Sequence, residues 1–289
     1  MKIFKLLIII LVAFLFNVST ANAYIVTMEN WGFDPSGSTE VTNVLISPID
    51  EITLLGMTLN NSTPTALGYG TFETFGTLSA TGFQVDGNPI GAGITGLGVN
   101  YELTVILETS GFYIRPVPGG NNLLTFNSGS LTFYLDSTQN YGTTAGTYGA
   151  DDGTLIASFD LIIGSGTMDF VTSEFADGRT DILFGANYLM EGIWFDPNGN
   201  DLALSNYMPL ILGLTDSNNV VVEAPNQTII DEFLAASDLE YDGRTDYEFF
   251  VRTDGSFAPA PIPEPATMFL FGCGLICFGI VGKKRVLKN

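Results

Sequence analysis

The sequence predicts an all-β protein whose body is an antiparallel β-sandwich or jelly-roll-like fold with one short helix. Short segments rich in Thr, Val, Ile, Phe and Tyr alternate apolar and polar residues, as residues 101–108 do, with the period of a half-buried strand. Gly, Asn, Asp and Pro separate these segments, for example at residues 86–89 and 151–153. Many short strands joined by tight turns favour a sandwich or jelly roll.

Further strand-like segments occur along the chain at residues 52–59, 130–135, 154–163, 181–184 and 245–253. One segment, residues 228–237, has a helical period instead, with an apolar face of Ile229, Ile230, Phe233 and Leu234. We expect Thr228 to cap this helix and Asp231 and Glu232 to lie in its first turn. The helix is predicted to cover an edge or an end of the sheet.

Residues 1–23 have the order of a secretory signal peptide. Lys2 and Lys5 precede an apolar run at residues 6–16, and a small-residue cleavage box with Ala21 and Ala23 follows. We expect a signal helix, export through the Sec translocon and cleavage before Tyr24.

The other end of the chain predicts a transmembrane helix. Residues 266–282 carry no charge and span roughly 25 Å as a helix, which is the lower limit for crossing a bilayer. Lys283, Lys284 and Arg285 follow, and because positive residues stay on the cytoplasmic side, the C-terminus should be cytoplasmic. Residues 258–289 are therefore interpreted as a Pro-rich linker, a membrane span and a basic tail, and residues 24–257 as the body.

The exported part of the chain is strongly acidic. Residues 24–265 contain 31 acids and four arginines, a net charge of about −27, and they contain no lysine. Such a surface disfavours nucleic acid as a partner. The whole chain lacks histidine and both cysteines lie in the predicted span, which excludes Ser-His-Asp or Cys-His catalysis and His-ligated zinc in the body.

No pattern in the body marks an enzyme or a cofactor site, and we expect no catalytic residues. Paired carboxylates could still form a glycosidase, and the aromatic residues Trp31, Phe33, Trp194, Phe195, Tyr207 and Tyr241 could stack on sugars or anchor the core. Calcium is the one ligand with candidate residues, because Asp196, Asn198, Asn200 and Asp201 place oxygen atoms in one loop. The alternative is a solvated acidic turn.

Two similar sequences occur at residues 31–37 and 193–199, and each contains Asp-Pro-x-Gly. Their spacing matches no other repeat in the chain, so we interpret them as two instances of one turn rather than as a repeat architecture. The pattern is typical of a type I turn.

The C-terminal segment resembles the PEP-CTERM sorting signal of Gram-negative bacteria that produce exopolysaccharide. The resemblance rests on Pro263, Glu264 and Pro265, the apolar segment after them, and the basic residues Lys283, Lys284 and Arg285. It implies that exosortase, a membrane protease, cleaves near Pro-Glu-Pro. The protein would be anchored briefly in the inner membrane and then passed to the cell surface or extracellular matrix.

Residues 71–184 are more loosely similar to flocculation-associated PEP-CTERM proteins, whose motifs carry no catalytic residue. This resemblance implies a structural or adhesive role in biofilm or flocs, with exopolysaccharide or other matrix components as partners. The alternative from a different class is a secreted calcium-dependent glycan-binding module or a carbohydrate-active enzyme.

Overall fold

The computed structural model describes residues 28–37, 45–64, 68–114, 122–143, 147–168, 177–204, 210–243 and 248–261. Its strands are β1 Trp31–Phe33, β2 Ile46–Ile49, β3 Glu51–Pro64, β4 Tyr69–Val85, β5 Asn88–Ile90, β6 Glu102–Ile114, β7 Asn122–Asp136, β8 Thr154–Met168, β9 Asp177–Leu189, β10 Trp194–Phe195, β11 Leu210–Val222 and β12 Glu248–Pro261. The helices are a 3₁₀ turn at Pro35–Gly37, α1 at Ala92–Thr95 and α2 at Gln227–Ala236. The all-β prediction is confirmed.

The main sheet is a closed barrel of eight antiparallel strands. Its order is β3-β12-β11-β9-β8-β7-β6-β4, and β4 pairs with β3 to close the ring, while β5 extends only the end of β4. The predicted sandwich or jelly roll is therefore corrected to a barrel. Alternation of apolar and polar residues is the same in both architectures, and only the pairing of β3 with both β4 and β12 distinguishes them.

The two ends of the barrel are distinguished by the direction of β12. We call the end at which β12 stops at Pro261 the terminal end, and the end at which β12 starts at Glu248 the distal end. Met28, the first described residue, donates its N–H to the Pro259 carbonyl oxygen at 2.6 Å. Both ends of the described chain therefore lie together at the terminal end.

A small antiparallel sheet of β10, β1 and β2 packs into the barrel at its terminal end. Trp31, Phe33 and Trp194 are almost completely buried there. The indole rings of Trp31 and Trp194 stack with centroids 6.0 Å apart, and Trp194 also contacts Phe133 and Phe257 of the barrel wall. An aromatic core thus fills this half of the barrel.

The two similar sequences of the chain form β1 and β10 and the turns that follow them. Each turn is confirmed: Asp34 accepts the N–H of Ser36 and Asp196 accepts the N–H of Asn198, both on a carboxylate oxygen. What the sequence did not indicate is that the two segments pair with each other, Phe33 opposite Trp194.

Helix α2 lies on the outer wall of the barrel. Phe233 and Ile230 are buried against Leu59, Phe75 and Phe250 of three neighbouring strands. The helical prediction is therefore confirmed, but the helix covers the face of three paired strands and not an edge or an end of the sheet. The cap also differs. Asn226, not Thr228, accepts the Ile229 N–H at the N-terminus, and no acidic residue lies in the first turn.

Candidate functional site

The C-terminal segment leaves the barrel directly from a hydrogen-bonded strand. Strand β12 pairs with β3 only as far as Phe257, opposite Ile52, whereas its pairing with β11 continues to Pro261, opposite Leu210. Residues 258–261, which the sequence analysis assigns to the linker, are thus part of a barrel strand. In the sequence, Pro263 follows Pro261 by two residues.

The residues predicted to act in export and sorting lie outside the described residues. These are Ala21 and Ala23 of the cleavage box, Pro263, Glu264 and Pro265, the span at residues 266–282, and Lys283, Lys284 and Arg285. In the part of the chain that the structure describes, no helix has the length and apolar character needed to cross a membrane.

The calcium candidates lie together in the connection after β10, where the carboxylates of Asp196 and Asp201 accept hydrogen bonds from nearby backbone N–H groups. Asp196 accepts hydrogen bonds from the backbone N–H groups of Asn198 and Asn200 and from their side-chain amides. Asp201 accepts the N–H groups of Gly192 and Ala203. These contacts are what a turn requires, and each of the two carboxylates uses both of its oxygens in them.

The pKa of Asp196 reflects this loop. Its slight burial raises the pKa, but the hydrogen bonds from Asn200 and Asn198 together outweigh burial and hold the pKa below its ordinary value. Within the described ranges, no group of three or more Asp, Glu, His or Cys side chains is arranged to hold a metal ion.

The aromatic residues named as candidate sugar contacts are mostly core residues. Trp31, Phe33 and Trp194 are buried, and Tyr241 packs on Phe250 with ring centroids 5.2 Å apart. Phe195 is half-buried, and Tyr207 lies outside the described residues. The buried rings stabilise the terminal end of the barrel and have no surface for a sugar.

Glu102 is a buried carboxyl that the sequence analysis did not single out. It lies on the outer wall at the start of β6, is only 6% exposed, and accepts the backbone N–H groups of Asn140 and Tyr141. Thr104 on the same face donates to the Ala150 carbonyl oxygen. The two side chains hold the connection between β7 and β8 against the barrel.

The pKa of Glu102 is raised. Burial is the largest cause and the nearby carboxylates of Asp136 and Asp152 add to it, whereas the N–H groups of Tyr141 and Asn140 act in the opposite direction. A raised pKa is one mark of a catalytic acid. Here the carboxyl is covered by the loop that it holds, so we assign it a structural role.

Glu102→Gln is expected to change the pH dependence of folding. Because the folded pKa is raised, Glu102 contributes stability below its unfolded pKa of about 4.3, and this contribution is lost as the pH rises through the folded value. Glutamine keeps a hydrogen-bond acceptor without the charge, so its stability relative to wild type should improve from pH 4 to pH 7. Urea unfolding across that range measures the difference.

Glu102→Ala is the matched variant for this prediction. It leaves the N–H groups of Asn140 and Tyr141 without their acceptor and should lower the free energy of unfolding by about 2 kcal/mol at acidic pH. If the difference in the free energy of unfolding between wild type and Glu102→Gln stays constant from pH 4 to pH 7, the pKa of Glu102 is not raised.

A groove of about 460 Å³ lies on the outer wall beside the C-terminal end of α2. Its polar lining combines carboxylates and hydroxyls, and it includes Glu73, Glu108, Asp238, Ser110, Ser128 and Ser130. The hydroxyls of Ser110 and Ser128 are 2.7 Å apart. The sequence showed the individual strands but not that β4, β6, β7 and α2 would bring these side chains together.

Comparison with known proteins identifies the C-terminal segment. Residues 261–285 match the family model of the PEP-CTERM protein-sorting motif, and this range includes Pro263, Glu264, Pro265 and the basic residues 283–285. No curated protein and no solved structure matches the chain. Residues 261–285 are therefore a PEP-CTERM sorting signal, and this signal indicates an exported protein that is transiently anchored in the membrane at its C-terminus and processed by exosortase.

Proposed function

We propose that the barrel is the delivered part of a non-catalytic matrix protein. It reaches the cell surface or exopolysaccharide of a Gram-negative bacterium and acts structurally or adhesively in biofilm or flocs. The observation that carries this proposal is that the sorting motif at residues 261–285 continues a strand of the closed barrel without an intervening domain. The sorting machinery therefore delivers the barrel.

The architecture supports a durable extracellular role. Every one of the eight barrel strands is paired on both sides, so the ring has no open edge at which another chain could add a strand. The aromatic core at the terminal end fills the space in which many small barrels bind a ligand. Contacts with matrix components are then expected on the outer wall.

The described carboxyls support a non-enzymatic role. Glu102 has a raised pKa but is covered by the loop between β7 and β8, and Asp196 has a lowered pKa because it organises a turn. In the groove beside α2, the described lining contains three carboxylates and no arginine or lysine. It offers hydrogen-bonding groups suited to the hydroxyls of a polysaccharide.

Isothermal titration of the mature protein with the producer's own polysaccharide tests the proposal. Binding without turnover is expected, and the variant Glu73→Gln/Glu108→Gln/Asp238→Asn should weaken it about tenfold, whereas Asp231→Asn on the exposed side of α2 should not. If the protein hydrolyses the polysaccharide, and replacing one Asp or Glu abolishes that hydrolysis, the carbohydrate-active enzyme is favoured. Binding only when calcium is added would favour the calcium-dependent module.

A further inference from the structure

Large apolar side chains are exposed at the terminal end of the barrel. In the described part of the chain, Ile94 on α1, Leu204 after β10 and Val99 before β6 are 71%, 65% and 63% exposed. These are three of the four most exposed large apolar residues there, the fourth being Ile163 on β8. The distal end also exposes large apolar side chains, and these are 47–54% exposed: Tyr69, Phe112, Ile114 and Leu123. The terminal-end group is therefore the more exposed of the two.

The topology places these residues at one end. Ile94 and Val99 lie in the connection from β4 and β5 to β6, and Leu204 lies in the connection from β10 to β11. The end of β4 and the start of β11 are both at the level of the end of β12, because Gln84 pairs with Glu51, Ile52 with Phe257, and Leu210 with Pro261.

The sorting signal leaves the barrel at the same end. Pro263 is two residues after Pro261 and can lie at most about 7 Å from it. Residue 266, where the predicted span begins, is five residues after Pro261 and can lie at most about 18 Å from it. Residues 258–261 pair with β11, and the Pro259 carbonyl oxygen also accepts the Met28 N–H, so the end of β12 is fixed to the barrel. A protease bound at Pro-Glu-Pro must lie beside this end of the barrel.

We propose that the terminal end of the barrel is a docking surface for exosortase, with Ile94, Val99 and Leu204 as its apolar contacts. The protease would then recognise the folded barrel together with the linear motif. Exposed carboxylates of Asp86 and Glu191 lie in connections at the same end, so the surface fits a partner that offers both apolar and basic contacts. The same carboxylates disfavour an anionic lipid surface as the occupant.

Pulse–chase labelling of C-terminal processing in cells that contain exosortase tests the proposal. The variant Ile94→Ser/Val99→Ser/Leu204→Ser should be processed about tenfold more slowly than wild type. The matched control is Phe112→Ser/Ile114→Ser/Leu123→Ser at the distal end, whose side chains are about half exposed and should not affect the rate. Urea unfolding of both mature variants shows that each barrel folds.

A flexible insertion distinguishes a barrel end that binds exosortase from one that hinders its access to the motif. With ten Gly and Ser residues between Ala260 and Pro261, which leaves the motif at residues 261–285 intact, we expect slower processing and a smaller effect of the terminal-end substitutions, because the barrel no longer positions the motif. Equal rates for the terminal-end and distal-end variants would overturn the proposal. Faster processing after the insertion would also overturn it, since the barrel end would then be an obstacle.

Discussion

Replacing Pro263, Glu264 and Pro265 together with alanine is expected to abolish removal of the C-terminal signal. Proline keeps the backbone extended and out of a helix, whereas alanine has the highest helix propensity. The predicted helix at residues 266–282 could then extend towards Pro261 and remove the extended segment that a protease binds. Mass spectrometry of the membrane fraction should find the intact C-terminus, Asn289.

The matched control for this prediction is Pro225→Ala. Pro225 is a half-buried residue between β11 and α2 at the distal end, away from the proposed docking surface, and its replacement should leave processing unchanged. Wild-type protein recovered outside the cell should lack Asn289. If the triple-alanine variant is released at the wild-type rate, the sorting role of these three residues is wrong.

Trp194→Ala is expected to have the largest effect on folding, a loss of about 3–5 kcal/mol in the free energy of unfolding. Trp194 is 1% exposed, and its indole N–H donates to the Ile156 carbonyl oxygen at 3.2 Å. Its ring also contacts Phe33, with centroids 5.1 Å apart. The substitution would leave a cavity where the small sheet packs into the barrel. Urea unfolding of the mature protein measures the loss.

Phe195→Ala is the control for this core prediction, because Phe195 follows Trp194 on the same strand and is only half-buried. Its replacement should cost about 1–2 kcal/mol, since less apolar surface is buried there. Equal losses at the two positions would show that the aromatic core does not hold the terminal end together.

The closure of the barrel could not be predicted from the strand pattern. Alternation places Leu103, Val105 and Leu107 on one face of β6, and the structure buries all three in the interior. A sandwich would bury them equally well. The choice depends on whether β3, early in the chain, pairs with β12, nearly 200 residues later, and no local pattern encodes that contact.

Local structure follows from the sequence more directly than contacts between distant elements do. The two Asp-Pro-x-Gly turns and the helix after β11 follow from residues that are neighbours in sequence. The pairing of Phe33 with Trp194, the burial of Glu102 and the groove beside α2 each require elements that are distant in sequence. The strand pattern does not indicate which of its polar residues a distant loop buries, as the connection between β7 and β8 buries Glu102.

Export and sorting follow from the order of residues along the chain. The predicted signal peptide and the PEP-CTERM motif are short linear segments, and such segments are recognised by their order of residue types. The closed barrel, the aromatic core and the hydrogen bond between Met28 and β12 at the terminal end are properties of the folded chain. These features depend on packing and hydrogen bonds between residues far apart in the chain, which become neighbours only when it folds.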